Sequence, residues 1–285
     1  MKYSRNELLK KHTSFRIGGP ADYFCVPKNE AQLREALCFA KEHRLSVAIM
    51  GAGTNLLALD KGFRGLVIKL SGGLGRLKVR GRTLYAGGGV LLPRLLAAAI
   101  RRGLGGIEFL AGIPGTAGGA AVMNAGAWGK EIGRHIDRVK VMDFSGNESV
   151  IMKKNLKFGY RRSVMQKAGL IVTEVVFKLR RGRRKLISNK IKEFLNRRRD
   201  SQPLGIPSAG SVFANPKGKF AGKLLEEAGC KGMRVGDAQV STRHANFIVN
   251  LGDAKARDVI KLMTRIQKKV KIRLEPELKI MVKSS

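Results

Sequence analysis

"EFLAGIPGTAGGAAVMNAGAWG", residues 108–129, decides how this chain is read. Glycine stands at 112, 115, 118, 119, 126 and 129, among alanines and a threonine. Side chains this small offer little for packing and let another molecule come close to the backbone. Pro114 and Thr116 set a tight turn, and Thr116 is placed to cap a short helix whose N-terminus faces phosphate. The competing reading is close helix–sheet packing through small residues. A second loop, "MGAGTNLL" at 50–57, tips the balance toward a ligand. It begins like the dinucleotide fingerprint but carries Leu56 where the third glycine belongs. Gly51 and Gly53 allow backbone N–H groups to converge on an anion, and Thr54 and Asn55 add side-chain hydrogen-bonding groups. Two such loops point to a bound dinucleotide-type cofactor.

The elements around these loops alternate. Residues 21–27 and 65–70 read as strands, as does "SVAIMG", which runs into the 50–57 loop. Between them, 29–44 reads as an amphipathic helix with Asn29 as its cap and Leu33, Leu37 and Ala40 on one face. Residues 87–103 give a turn and then a helix ended by Gly103. Residues 136–152 form a hairpin about Ser-Gly-Asn, 169–182 a long strand, and 187–199 a basic helix. Composition shifts at "DSQPLGIPSAG", 200–210. Beyond it come helices at 219–229 and 253–270 and strands at 244–250 and 278–282. "IPSAGSVFANP", 206–216, reads by composition as a turn-rich loop around Ser211.

The net charge of +35, from 56 Lys and Arg against 21 Asp and Glu, implies attraction for polyanions. The basic residues are spread along the whole chain, which favours a solvated surface over a dedicated nucleic-acid face. Neither zinc-finger spacing nor an aromatic-rich binding strand supports nucleic-acid binding. Cys25, Cys38 and Cys230 are isolated, so neither a disulfide framework nor a thiolate metal site is indicated, and a reducing cytoplasm is the simplest setting. The first residues lack the apolar core of a signal peptide, and every stretch of membrane-spanning length carries charge. His12, His43, His135 and His244 are scattered and form no metal motif.

Seven motifs then occur in one order: "HTSFRIGGPAD" (12–22), "GAGTNLL" (51–57), the 108–129 loop, "FGYRRS" (158–163), "PSAGSVFANP" (207–216), "AGKLLEEAGCKGMRVGDAQVSTRHANFIVN" (221–250) and "IRLEPEL" (272–278). From about residue 12 to 282 the chain resembles the UDP-N-acetylenolpyruvoylglucosamine reductases, flavoproteins of bacterial cell-wall synthesis. The spacing between "FGYRRS" and the serine loop resembles the shorter class of that family. The resemblance implies an α+β chain with a two-lobed FAD-binding domain of the vanillyl-alcohol-oxidase type and a smaller α+β substrate-binding domain. The expected division is 1–199 for the FAD-binding domain (lobes about 1–72 and 73–199), 200–273 for the substrate domain, and 274–285 for a C-terminal strand with a catalytic Glu.

The resemblance also implies a reaction and its residues. NADPH reduces FAD, and hydride then passes to the enol ether of the enolpyruvyl UDP-sugar, giving UDP-N-acetylmuramate. Ser211 is implied as the proton donor, Arg161 as the cation at the enolate carboxylate, and Glu277, with Glu275 second, as the catalytic carboxylate. A carbanion beside a carboxylate is basic enough to take a proton from a positioned hydroxyl. Tyr160, Arg199, Gln202 and Asn215 are implied as substrate contacts. Cofactor contacts are expected from Gly51, Ala52, Gly53, Thr54, Asn55 and Leu56, and from Ala111, Gly112, Ile113, Pro114, Gly115, Gly118, Gly119, Asn124 and Gly126. Two positions depart from the family pattern. Ala214 stands where a basic residue is frequent, and Trp128 where tyrosine is usual. The remaining alternatives are another FAD oxidoreductase of this fold and a basic nucleic-acid-binding protein. A monomer is favoured, with no metal.

Overall fold

A computed structural model of the chain describes residues 1–282, the side chain of Lys167 excepted. Residues 283–285 of the expected C-terminal segment lie outside the described residues. The chain divides into two compact units. The first comprises 1–3, 24–52 and 67–197, and the second 4–23, 53–66 and 198–285. Two segments from the region read as the FAD-binding domain, 4–23 and 53–66, thus cluster with the second unit. Pairing over a long sequence separation draws in the second of them: strand Leu56–Ala58 runs parallel to Lys279–Met281.

The first unit is built on a five-stranded antiparallel sheet in the order Glu148–Met152, Ile136–Met142, Ile171–Lys178, Thr83–Gly87 and Leu77–Arg80. The hairpin read at 136–152 forms its outer pair. Strand Ile171–Lys178 sits mid-sheet, and its buried Val172, Val175 and Phe177 join Leu92, Leu95, Phe109 and Ala121 in one core. Helix Glu30–Glu42 starts where expected, with the Asn29 side chain accepting from the Gln32 N–H at 2.9 Å. Leu33, Ala36, Leu37 and Ala40 form its buried face. Helix Leu92–Arg101 has Pro93 at its start, where the missing N–H costs nothing.

The second unit has a four-stranded antiparallel sheet in the order Ser208–Ser211, Phe247–Asn250, Ala238–Val240 and Arg234–Val235. Helices Ala221–Glu227 and Ala256–Lys269 contribute Leu225, Val259, Leu262 and Ile266 to its core, which also takes Phe15, Leu57 and Leu278. The serine loop is therefore an edge strand and not only a turn. Its register slips between Ser208, opposite Val249, and Ser211, opposite Phe247. Three steps on one strand face two on the other, which is a β-bulge. Gly210 sits inside it at φ +78°, a conformation that side chains resist.

Candidate functional site

The first unit holds Gly51, Ala52 and the 111–126 candidates, whereas Gly53, Thr54, Asn55 and Leu56 belong to the second. Within the first unit the two glycine loops meet. A Cβ on Gly51 would lie 2.7 Å from Thr116 Oγ1. Thr116 is buried and caps helix Ala117–Val122, its hydroxyl accepting from the Gly119 N–H at 3.2 Å. Residues 115–118 run against 88–92: Leu92 N–H bonds Gly115 O, Ala117 N–H bonds Val90 O, and Gly118 N–H bonds Gly88 O. A Cβ on Gly118 would stand 2.9 Å from that Gly88 carbonyl, and one on Gly88 only 2.0 Å from Val172 O.

These bonds correct one expectation. The N–H groups of Ala117, Gly118 and Gly119 are all taken within the protein, so they do not face phosphate. The accessible part of the loop is instead Gly112, Pro114 and Gly119, which are exposed, with Gly112 at φ +73°. A Cβ on Gly119 would meet nothing closer than Thr116 Oγ1 at 3.4 Å. An exposed surface of bare backbone beside buried small residues fits a large flat group such as a flavin nucleotide.

Asn124 needs a second correction. It is wholly buried, and its amide is committed internally: Oδ1 accepts from Gly133 N–H, and Nδ2 donates to Glu131 Oε2 and to Gly159 O. That leaves the side chain little with which to bind a cofactor. Gly159 N–H and C=O both pair with Arg162, closing a two-residue turn whose tip is Tyr160 and Arg161. Arg161 has φ +53° and donates from Nη2 to Gly126 O at 3.2 Å. Its guanidinium carbon lies 4.9 Å from the half-exposed Tyr160 ring. Arg162, which closes the turn, is exposed.

The second unit brings Ser211 and Glu277 onto paired backbone. Glu277 N–H donates to Val212 O at 2.8 Å, Ala214 N–H donates to Glu275 O at 2.8 Å, and Phe213 bridges Pro276. Asn246 locks the serine strand from its other side, accepting from Phe213 N–H at 2.9 Å and donating to Phe213 O at 2.8 Å. Asn55 donates from Nδ2 to Glu277 O at 3.2 Å, and its own carbonyl accepts from Lys279 N–H. Glu277 is partly buried and Glu275 is exposed, which favours the first choice between them. A Cβ on Gly210 would meet nothing within 4 Å, so the space before Ser211 is open.

The remaining candidates separate. Arg199 is exposed, with Nε 3.5 Å from Asp200. Asn215 is exposed and accepts from Ala221 N–H, the first residue of helix Ala221–Glu227. Gln202 accepts from Arg198 Nη1 at 3.2 Å. Arg198, which the sequence reading passed over, is the buried arginine of the basic run, only 7% exposed. Its i,i+4 spacing to Gln202 on one helix face was the available signal. Ser14 was also missed: its hydroxyl bonds Ser208 O at 2.7 Å and its N–H bonds Gly53 O at 3.0 Å. Trp128 is 41% exposed, stacks on Phe194 and lies under the Arg197 guanidinium. Among the described residues, no group of three or more His, Cys, Asp or Glu is placed to hold a metal ion.

Comparison with known proteins adds a separate line. Residues 202–283 match the family described as the C-terminal domain of UDP-N-acetylenolpyruvoylglucosamine reductase, and residues 21–150 match an FAD binding domain. UDP-N-acetylenolpyruvoylglucosamine reductase 2 of Symbiobacterium thermophilum is 49% identical over 280 residues, covering 97% of this chain and 91% of its own. The Desulforamulus reducens reductase is 44% identical over 278 residues, covering 98% and 92%. The crystal structure of the reductase from Thermus caldophilus superposes with a TM-score of 0.88 at 38% identity, over 99% of this chain and all of that one.

Proposed function

Since the chain belongs to the UDP-N-acetylenolpyruvoylglucosamine reductase family, we propose that Ser211, Arg161 and Glu277 carry its chemistry. The chain is an FAD-dependent oxidoreductase that reduces the enolpyruvyl ether of UDP-N-acetylglucosamine to UDP-N-acetylmuramate. Its fold is the expected FAD-binding domain with an α+β partner. Bound FAD, reduced by NADPH, supplies the hydride. Gly51, Gly112 to Gly115 and Gly119 would hold it, as would Gly53 to Leu56.

Hydride addition to the enol-ether methylene leaves charge on the carbon beside the carboxylate. Arg161 pairs with that carboxylate as charge builds, and a fixed cation acts there without reorganising solvent. Ser211 gives its Oγ proton to the carbon. Glu277 stays hydrogen-bonded near the ether, since an unpaired carboxylate would repel the enolate. Arg198, Gln202 and Asn215 lie on the UDP-sugar side, with Arg198 preferred over Arg199 because it is the buried one. Among the described residues no helix is long and apolar enough to cross a membrane. A cytoplasmic monomer using NADPH completes the reading.

The observation that carries the residue assignment is the pairing of Glu277 with Val212, which fixes the proposed acid and carboxylate on adjoining backbone. The test is a visible spectrum taken anaerobically. The purified protein should be yellow, bleach on adding NADPH and regain colour with the enolpyruvyl nucleotide. A flavin bleached by NADPH that the nucleotide cannot re-oxidise would discard the substrate while keeping the fold.

A further inference from the structure

We propose that Asn124 is a positioning residue for Arg161, tying the arginine's turn to the segment that follows the glycine-rich loop. The inference rests on Arg161 meeting the substrate carboxylate. The buried Asn124 amide reaches Gly159 O at 2.9 Å, the same carbonyl that accepts from Arg162 N–H and closes the turn. Two residues further on, Gly126 O accepts from Arg161 Nη2. Segment 124–126 thus holds the turn at the Gly159 carbonyl, two residues before the arginine, and the arginine itself at its guanidinium.

The holding segment is itself rigid. A side chain at Gly126 is barred because its Cβ would lie 2.3 Å from Lys130 O. Glu131, which pairs with Gly126 across a short hairpin, takes the second Asn124 N–H at 3.0 Å. Gly133 N–H occupies Oδ1, and a Cβ at Gly133 would strike Phe158, the residue leading into the turn. From the other side, Gln166 Nε2 bonds both Arg161 O and Val122 O, so the turn is braced against the end of helix Ala117–Val122. Asn124 and Arg161 both sit at positive φ, +42° and +53°. Backbone in that region keeps one geometry only when its surroundings fix it, and Asn is among the residues that tolerate it best. The amide of Asn124 therefore serves the arginine, and its effect should appear in the step where Arg161 acts.

The experiment is a double-mutant cycle on the FAD-loaded enzyme with Asn124→Ser, Arg161→Lys and the pair. The readout is the rate at which the enolpyruvyl nucleotide re-oxidises NADPH-reduced flavin. Asn124→Ser should slow that rate roughly 100-fold, as a misplaced catalytic group does, while bleaching by NADPH stays within about twofold. In the Arg161→Lys background the same substitution should cost no more than about threefold, because residues acting as a unit are not additive. An equal cost in both backgrounds overturns the inference, since Asn124 then acts apart from Arg161. Arg161→Lys that re-oxidises at the wild-type rate instead overturns the role of Arg161. Failure of the unmutated enzyme to re-oxidise overturns the reaction itself, before any variant is read. Should Asn124→Ser lose flavin, Asn124→Asp goes through the same cycle. It keeps the volume but sets a carboxylate against Glu131 and Gly159 O. Wild-type re-oxidation by Asn124→Asp, or loss of flavin from both variants, overturns the inference.

Discussion

The glycine loops of the first unit and the serine strand of the second solve opposite problems. In the first, close approach is achieved by leaving side chains out: Gly88, Gly118 and Gly51 stand where a Cβ would strike a backbone carbonyl or the Thr116 hydroxyl. In the second, side chains are added where backbone partners run out. Asn246 pairs with both polar groups of Phe213 as a neighbouring strand would, and Asn55 holds the Glu277 carbonyl. On the proposed assignment the first region presents backbone to the flavin, and the second presents the Ser211 hydroxyl and the Glu277 carboxylate. Substitutions in the first should therefore be read in flavin retention and stability, and those in the second in turnover.

The sharpest test of that division is Ser211→Ala. It should leave flavin content and bleaching by NADPH intact and slow re-oxidation by the enolpyruvyl nucleotide roughly 1,000-fold, the middle of the range for a lost general acid. Stopped-flow absorbance of the flavin separates the two half-reactions. Near-normal re-oxidation would return Ser211 to the role of a bulge residue.

The next largest effect splits the first region in two. Gly118→Ala drives a Cβ into Gly88 backbone and should cost about 1–3 kcal/mol of stability, the ordinary penalty of overpacking. Gly119→Ala is exposed, has room and replaces glycine in a helix, so its thermal midpoint without flavin should not fall. Its FAD affinity should nevertheless drop about tenfold, equivalent to roughly 1.4 kcal/mol. Calorimetry and fluorescence titration with FAD read the two quantities separately. Unchanged FAD binding in Gly119→Ala would move the flavin off this face of the loop.

How much of this was legible beforehand also differs between the regions. Within the first unit the caps and the hairpin are local in sequence, although the meeting of its glycine loops is not. Thr116 capping Gly119, Asn29 capping Gln32 and the 136–152 hairpin all follow from residues a few positions apart. The second region is not local. Ser208–Ser211 is composed of turn residues and becomes a strand only because Phe247–Asn250 lies beside it. Leu56–Ala58 finds its partner more than 200 residues away, and periodicity carries no signal for that. Arg198 was passed over for Arg199 because three adjacent arginines look alike until one is seen to be buried. The ordered motifs supplied the reaction, whereas the internal bonds that occupy the Asn124 amide are visible only in the structure.

A smaller effect probes the side-chain scaffold of the second region. Asn246→Leu keeps the volume but strands the N–H and C=O of buried Phe213. Each buried group left without a partner costs about 1–3 kcal/mol. The thermal midpoint should fall, and turnover should fall with it, while FAD content stays near wild type. Loss of flavin in this variant would break the proposed separation between the regions.

The smallest expected effect is on acid stability, and it is shared by the two units. Burial is the main cause that holds His135, in the first unit, and His244, in the second, below the usual histidine pKa; nearby Glu108 and Glu226 oppose the shift only in part. His244 Nδ1 also accepts from Asn246 N–H at 3.2 Å, a bond that its charged form would lose. The unfolded chain binds a proton at these residues near pH 6.5, whereas the folded protein does so only at lower pH. Between those two values the unfolded state holds more protons, so stability falls as pH drops through the window. Each histidine contributes a slope of at most about 1.4 kcal/mol per pH unit. Glu7, Asp137 and Glu148, lowered chiefly by hydrogen bonds to His12, Lys178 and Lys140, lose their contributions as pH falls from the ordinary carboxylate range through their lowered folded values. The two windows are therefore separable by calorimetry between pH 7 and 5. His244→Gln should remove part of the slope in that range while leaving Ser211 chemistry available for comparison at pH 7. A slope unaltered by His244→Gln would mean that the imidazole is already solvated in the folded state. The packing of His244 against Gly222 and Phe247 would then contribute nothing to the acid sensitivity.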